Sequence, residues 1–109
     1  MWQKARELAR FVYRETSRFP QVEVFGLAQQ MRRASISILS NIAEGQGRRS
    51  RRDCAHFLTI ARGSAMELEA QIVVSGDLEY LTPSKTEALE AAAIEVTRML
   101  NGMLKHFAS

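Results

Sequence analysis

The sequence predicts an all-α protein that folds as an antiparallel up-down-up-down four-helix bundle. Apolar residues recur every three or four positions almost throughout the chain, which is the helical period, and no stretch alternates as a half-buried strand does. Breaks near Pro20, Gly45 and Pro83 separate four such segments, and short connections favour antiparallel neighbours. Since 109 residues are one domain's worth, we expect a single domain over residues 1–109.

The first two helices are expected over about residues 2–18 and 24–44. The apolar stripe of the first helix ends at Pro20, because proline lacks the N–H that would continue the hydrogen-bond ladder. A second stripe stops at Gly45, where a residue without Cβ can take the left-handed conformation that closes many helices. We therefore expect Gly45 to end the second helix.

The last two helices are expected over about residues 51–77 and 83–107. Ser50, followed by Asp53, has the spacing of a capping box, and Thr82 followed by Pro83 is typical of a helix start. Small residues surround Gly63 in the middle of the third helix. Because a helical glycine costs about 1 kcal/mol relative to alanine, this pattern favours the close approach of another helix there.

The composition is that of an ordinary globular protein, with 46% hydrophobic and 25% charged residues. No apolar run approaches the roughly 18 residues of a membrane span. The N-terminal MWQKARELAR lacks the apolar core of a secretory signal, and the lone Cys54 excludes an intramolecular disulfide. We expect a cytoplasmic protein with no membrane partner.

The charge is distributed unevenly along the chain. Residues 1–55 hold 11 basic and 5 acidic residues, a net +6, whereas residues 56–109 hold 4 basic and 7 acidic ones, a net −3. This asymmetry allows two interpretations. One is a basic face for nucleic acid, and the other is a pair of complementary faces by which copies of the protein meet.

Two groups of arginines are candidate nucleic-acid-binding residues. The first crowds the start of the third helix: Arg48, Arg49, Arg51 and Arg52. The second recurs every four residues and forms an outward stripe on the first helix: Arg6, Arg10, Arg14 and Arg18. Arginines in the first turn of a helix oppose its dipole by about 0.3–1 kcal/mol each, which favours an anionic partner. The alternatives are a solvated basic surface, phosphate contacts, and docking against acidic residues of the fourth helix in a neighbouring copy.

The residue inventory argues against catalysis and against a metal or cofactor. His56 and His106 are distant in sequence, and Cys54 and His56 point about 200° apart on a helix. No cluster with metal-ligand spacing is present in the sequence. The turn Gly45-Gln46-Gly47 follows a helix and lacks the Gly-Lys-Ser/Thr ending of a phosphate loop. We expect no enzymatic activity, no cofactor and no metal.

Residues 26–71, GLAQQMRRASISILSNIAEGQGRRSRRDCAHFLTIARGSAMELEAQ, resemble a known family. They are similar to the bacterial four-helix bundle proteins first noticed in intervening sequences of 23S ribosomal RNA genes, whose motifs correspond to residues 37–48 and 56–67. A structural role is assigned here to the motif residues Asn41, Glu44, Gly45, Gly47, Ser50, Arg62 and Gly63. Arg62 is expected to pair with an acid on another helix or subunit.

Relatives of that family include the accessory protein of diversity-generating retroelements, a basic homopentameric barrel that binds nucleic acid and works with a reverse transcriptase. The resemblance therefore implies a ring-like homo-oligomer, a pentamer, with no established catalytic activity. This chain departs from many relatives, which carry proline at Leu39, an aromatic residue at Gln46 and glycine at Glu79.

The hypothesis is a non-enzymatic, homo-oligomeric bundle that binds RNA or DNA through backbone electrostatics, as an accessory to a reverse transcriptase or to ribosomal RNA. The alternative is a structural or adaptor protein whose charged faces serve only self-assembly and protein partners.

Overall fold

The computed structural model describes residues 2–108, with side chains through Phe107, and in this part the regular structure is entirely helical. The four α-helices are α1 (Trp2–Thr16), α2 (Leu27–Gln46), α3 (Arg51–Asp77) and α4 (Pro83–Ala108). A short 3-10 turn, Gln21–Glu23, lies between α1 and α2. The predicted all-α four-helix fold is confirmed, and the predicted bounds of α3 match the observed ones.

Each helix packs against the next one along the chain, and α1 closes the bundle through a smaller contact with α4. Over the described residues no Cα atom of α1 lies within 8 Å of a Cα atom of α3, so the two helices lie diagonally across the bundle. The bundle measures 43 × 23 × 19 Å. Because neighbours run antiparallel, the α2–α3 connection and the end of α4 share one end of the long axis, here called the corner end. The opposite end is called the far end.

The core lies where the inner faces of the four helices meet. Its fully buried large side chains include Leu8, Met31, Ile38, Ile42, Leu58, Leu68, Ile72, Leu89 and Leu100. Small residues allow α2 and α3 to approach closely at mid-length. Ala61 and Ala65 are completely buried there, and the hydroxyls of Ser37 and Ser64 are 2.8 Å apart.

The predicted end of α1 and the predicted start of α2 differ from the observed ones by two and three residues. α1 ends at Thr16 instead of residue 18, and the Thr16 and Ser17 hydroxyls donate to the carbonyls of Val12 and Arg14 at 2.7 and 2.6 Å. α2 begins at Leu27 instead of residue 24, since the Glu23 carboxylate accepts a hydrogen bond from the Leu27 N–H at 2.9 Å. Both ends are therefore set by side chains that bond to the backbone.

The expectation that Gly45 closes α2 in a left-handed conformation is wrong. The helix continues to Gln46, and no described glycine has a positive φ. Gly45 is buried, and a Cβ at this position would lie 3.3 Å from both the Cys54 carbonyl oxygen and the Phe57 Cβ. Its role is to let the end of α2 approach α3 closely. Gly47, at φ −83° and ψ −5°, caps the helix in a right-handed conformation.

A non-glycine residue takes the left-handed conformation at the α3–α4 turn. Glu79 has φ 63°, and its N–H donates to the Gly76 carbonyl at 3.0 Å while the Tyr80 N–H donates to the Ser75 carbonyl at 2.9 Å. These two bonds form a Schellman motif, in which glycine is the usual left-handed residue. The position is therefore strained here by the Cβ of Glu79.

Gly63 also departs from the prediction. It is exposed, and a Cβ at this position would meet no other part of the described chain within 4 Å. The close packing expected at Gly63 is thus made by its neighbours Ala61, Ser64 and Ala65. Within one chain, no contact accounts for a glycine at this position.

Candidate nucleic-acid interface

The corner that carries the first arginine group is built by a capped helix start. Ser50 is extended, at φ −85° and ψ 144°, and its Oγ accepts a hydrogen bond from the Asp53 N–H at 3.0 Å. The Ser50 carbonyl accepts the Cys54 N–H at 3.1 Å, which begins the helical ladder. The remaining free N–H groups of the first turn and the helix dipole make this end of α3 electropositive.

Two of the four corner arginines are held by contacts within the chain. The Arg48 guanidinium donates to the Glu44 carboxylate at 2.8 Å and lies 4.8 Å from the centre of the Phe57 ring. Arg51 donates to the backbone carbonyl of His106 at 2.8 Å and lies 5.5 Å from the centre of the Phe107 ring. Arg51 therefore ties the start of α3 to the last turn of α4.

The other two corner arginines are uncommitted. Arg49 and Arg52 are exposed, and neither makes a side-chain hydrogen bond, ion pair or ring contact with any residue in the range 2–108. Lys105, exposed in the last turn of α4, adds a further cation at the same end. Sequence reasoning did not include Lys105 in the site, although the predicted up-down topology already brings the end of α4 to the start of α3.

The corner has an excess of positive charge. Its acidic residues are Glu44, which is paired with Arg48, and Asp53, whose exposed carboxylate forms no ion pair with a described residue. Arg49, Arg52 and Lys105 form no ion pair with a described residue, and they outnumber the single unpaired carboxylate of Asp53 at this end of the bundle. An anion placed there gains both from these cations and from the dipole of α3.

The second arginine group lies on a different surface. Arg6, Arg10 and Arg14 are exposed along α1, while Arg18 lies in the turn that follows this helix. Arg6 stacks near the exposed Trp2 ring, and Arg14 lies 3.8 Å from Glu15. The stripe extends along the side of the bundle instead of joining the corner, so the two candidate groups do not form one cluster.

The motif residues connect helices. Asn41 donates to the Ser37 carbonyl at 2.8 Å and lies 3.2 Å from the Ser37 hydroxyl, which in turn contacts Ser64 of α3. Arg62 hydrogen-bonds Asn101 of α4 at 3.3 Å. Its partner is therefore on another helix, as expected, but is an amide oxygen instead of a carboxylate.

At the far end, the pKa values of Glu23 and Tyr80 are shifted from their ordinary values. The Leu27 N–H, and to a lesser extent the Tyr80 hydroxyl at 2.9 Å, lower the pKa of Glu23, because both donate to its carboxylate. The same hydrogen bond raises the pKa of Tyr80. Since this pair caps α2 and links it to the α3–α4 turn, we assign it a structural role.

The described side chains offer no assembled centre for metal chemistry. Among residues 2–108, no three His, Cys, Asp or Glu side chains come together in a way that could hold a metal ion. His56 packs edge-on against the Phe57 ring at 5.4 Å, and Cys54 is half-buried. Within the same range, no helix is long and apolar enough to cross a membrane.

Fold and surface together define a small all-α helical bundle with a basic corner. The chain belongs to the 23S rRNA-intervening sequence protein family, whose profile matches residues 1–102. The solved structure of a protein of unknown function from the S23 ribosomal protein family of Bacteroides thetaiotaomicron is similar, with 28% identity and a TM-score of 0.87. The match covers 95% of this chain and 97% of that one. A comparison with curated proteins gives no match.

Proposed function

We propose that this protein is a non-enzymatic homo-oligomer that binds the backbone of RNA or DNA through the corner end. The observation that carries this proposal is the pair of uncommitted arginines, Arg49 and Arg52, at the N-terminus of α3, with Lys105 beside them. Phosphate groups are the anions that such an arrangement suits best, because arginine forks bind phosphate oxygens and helix N-termini attract them.

The contacts of the corner side chains favour nucleic-acid binding that does not depend on the base sequence. The corner rings Phe57 and Phe107 are half-buried and covered by Arg48 and Arg51, so they are poorly placed to stack on bases. The corner would therefore contact phosphates, which position a nucleic acid but carry no sequence information. RNA and DNA are both suitable on these grounds.

Assembly of several copies raises the affinity of this small site for nucleic acid. A single corner with two free arginines and one lysine neutralises only a few phosphates, so its affinity alone is low. Several corners in one homo-oligomer bind the same strand together, which raises the overall affinity without new contacts. The resemblance implies a pentameric ring, and the cellular partner would be a reverse transcriptase or ribosomal RNA.

The test is a double substitution of the free arginines, Arg49→Ala with Arg52→Ala. Anisotropy of labelled RNA and DNA strands would be measured between about 50 and 200 mM salt, where backbone-driven affinity falls steeply. We expect the variant to bind more weakly and its salt dependence to be flatter, since each lost phosphate contact lowers the slope by about 0.7–0.9.

A matched control removes two arginines elsewhere. Arg33 and Arg98 are exposed and make no described side-chain contact, so Arg33→Ala with Arg98→Ala changes the net charge equally. This control should retain the wild-type slope. Absence of wild-type binding at about 50 mM salt would contradict the nucleic-acid proposal, because such binding is strongest at low salt. The function would then be that of a structural or adaptor protein.

A further inference from the structure

The outer face of α3 is unusually apolar for a surface helix. Ile60, Met66, Val73 and Val74 are 40, 58, 44 and 46% exposed. Gly63 and Ala70 lie between them on the same face, and both are exposed. The charged residues exposed on α3 from residue 56 to its end are both acidic, Glu67 and Asp77. The inner face already supplies the apolar residues that the bundle needs, so this second apolar face is not explained by the fold.

Gly63 gives an independent indication that this face is covered by another helix. Glycine lowers helix stability by about 1 kcal/mol relative to alanine, yet a Cβ here would meet no described atom of another part of the chain within 4 Å. Ala70 follows seven residues later on the same side of α3. Two small residues in one line leave room for a second helix backbone to approach closely.

Uncommitted acidic side chains border the same face. Val73, Asp77, Glu87, Glu90 and Ile94 line a groove between α3 and α4 of about 550 Å³. Its three carboxylates have no ion-pair partner among residues 2–108. Glu95, by contrast, lies 3.6 Å from Lys4 of its own α1. The face thus requires an occupant that is apolar along its centre and positive along the α4 side.

The outer face of α1 has the complementary character. Trp2 is 39% exposed, the Arg6 guanidinium lies 5.9 Å from the centre of its ring, and Arg10 makes no hydrogen bond, ion pair or ring contact with a described residue. Tyr13, which is 43% exposed, lies at the α2 side of this face, where Arg32 stacks 4.8 Å from its ring centre. Because α1 and α3 lie diagonally across the bundle, the two faces point away from each other and cannot meet within one chain. They can meet only between two copies.

We infer that the outer face of α1 from a second copy of this chain docks on the outer face of α3 and the adjoining α3–α4 groove. This inference rests on the homo-oligomeric part of the proposed function and identifies its interface. Arg6 and Arg10 of one copy would face Asp77, Glu87 and Glu90 of the next. Two α3 faces packed on each other would instead bring acids together without cations. A contact between two different patches is head-to-tail, and it closes into a ring when the rotation allows.

The test uses one substitution on each face, Val74→Arg on α3 and Arg10→Glu on α1, with light scattering as the measure of mass. Each variant should self-associate at least about 100-fold more weakly than wild type. Val74→Arg places a cation opposite the arginines of α1, and Arg10→Glu places a carboxylate opposite the acids that border α3. An equimolar mixture should form a dimer, since the first variant keeps an intact α1 face and the second keeps an intact α3 face. Met66→Arg provides a second α3 variant, and circular dichroism checks that each variant is folded.

Matched controls are Val22→Arg, at a turn residue that is 81% exposed, and Arg33→Glu on α2; both should remain oligomeric. If neither Val74→Arg nor Met66→Arg dissociates the oligomer, the inference is overturned. If the α3 variants dissociate but Arg10→Glu remains oligomeric, α1 is not the occupant and the inference is overturned. The inference is equally overturned if both kinds of variant dissociate but their equimolar mixture stays monomeric. A monomeric wild type overturns the inference together with the homo-oligomer, whereas nucleic-acid binding is tested separately by the Arg49 and Arg52 variant.

Discussion

The outer faces of α1 and α3 differ sharply, although the two helices occupy equivalent diagonal positions in the bundle. On α1 the exposed positions are mostly charged, with arginines at every fourth residue. On α3 from residue 59 onward they are mostly apolar or small, and Gly63 is among them. Both inner faces are largely apolar, although α1 also buries Glu15 and Thr16 near its end. The comparison indicates that a helix with one apolar face is accounted for by its own chain, whereas a helix with two requires a second partner.

The largest expected effect on the free energy of unfolding distinguishes the buried face of α3 from its outer face. Leu68 is completely buried, so Leu68→Ala should lower the free energy of unfolding by about 2–5 kcal/mol through lost burial and the cavity left behind. Val74→Ala on the outer face should change it by less than about 0.5 kcal/mol in a monomeric background such as Arg10→Glu. Urea unfolding monitored by circular dichroism measures both. Equal losses would contradict the division of α3 into a core face and an interface.

Gly63 offers a sharper test, because stability and association should change in opposite directions. Gly63→Ala should raise the free energy of unfolding of the monomer by about 1 kcal/mol, since the added methyl group meets open space. The same group should weaken self-association by separating the helices. Gly45→Ala is the control: its Cβ would lie 3.3 Å from a backbone oxygen of α3, so it should gain less stability. Stabilisation without weakened association would place Gly63 outside the interface.

The end of α3 provides a smaller effect. Glu79 holds a left-handed conformation that costs a residue with a Cβ about 1–2 kcal/mol. Glu79→Gly removes this strain, but glycine also increases the entropy of the unfolded chain, which offsets part of the gain. The free energy of unfolding should therefore rise by about 0.5–1 kcal/mol. Thermal unfolding measures the change. Glu79→Ala removes the carboxylate but keeps the Cβ, so it should not reproduce the gain; if it does, charge and not backbone strain is the cause.

The smallest effect concerns pH and the cap of α2. The folded pKa of Glu23 lies below its ordinary value of 4.5, so its contribution to stability is fully present above that pH and is lost as the pH falls through the folded pKa. The stability difference between wild type and Glu23→Gln should therefore shrink on acidification. Tyr80, whose pKa is raised above 10.0, should lose its contribution as the pH rises through the folded pKa. If the stability difference between wild type and Glu23→Gln does not change on acidification, the assignment of Glu23 as a stabilising cap of α2 is wrong.

Much of the fold could be predicted because it depends on local signals. Ser50 and Thr82 cap helices through their own hydroxyls, with Thr82 accepting the Lys85 N–H at 3.2 Å, and the apolar period locates every helix. The start of α2 was less accessible to prediction, since it depends on how the Glu23 carboxylate folds back across a turn. The sequence predicts that Gly45 ends α2, because it does not reveal which helical glycine faces a neighbouring backbone.

The candidate site could be predicted only as a group of arginines. The division into held and free members depends on tertiary partners: the ring of Phe57 for Arg48 and the His106 carbonyl for Arg51. These partners lie on other turns or helices, so arginine spacing alone does not distinguish Arg51 from Arg52. Lys105 enters the site through topology, as the antiparallel arrangement brings the last turn of α4 beside the first turn of α3.

If the corner binds phosphate as proposed, the hydrogen bond from Arg51 to the His106 carbonyl would couple that binding to the order of the C-terminal helix. The last carbonyls of a helix lack intrahelical partners, and Arg51 satisfies one of them at 2.8 Å. A phosphate held by Arg49 and Arg52 leaves this bond in place, so amide exchange in the last turn of α4 stays slow. A phosphate that recruits Arg51 removes the bond, and the end of α4 then frays as the ligand binds. The rate of exchange there thus reports how many arginines a bound strand engages.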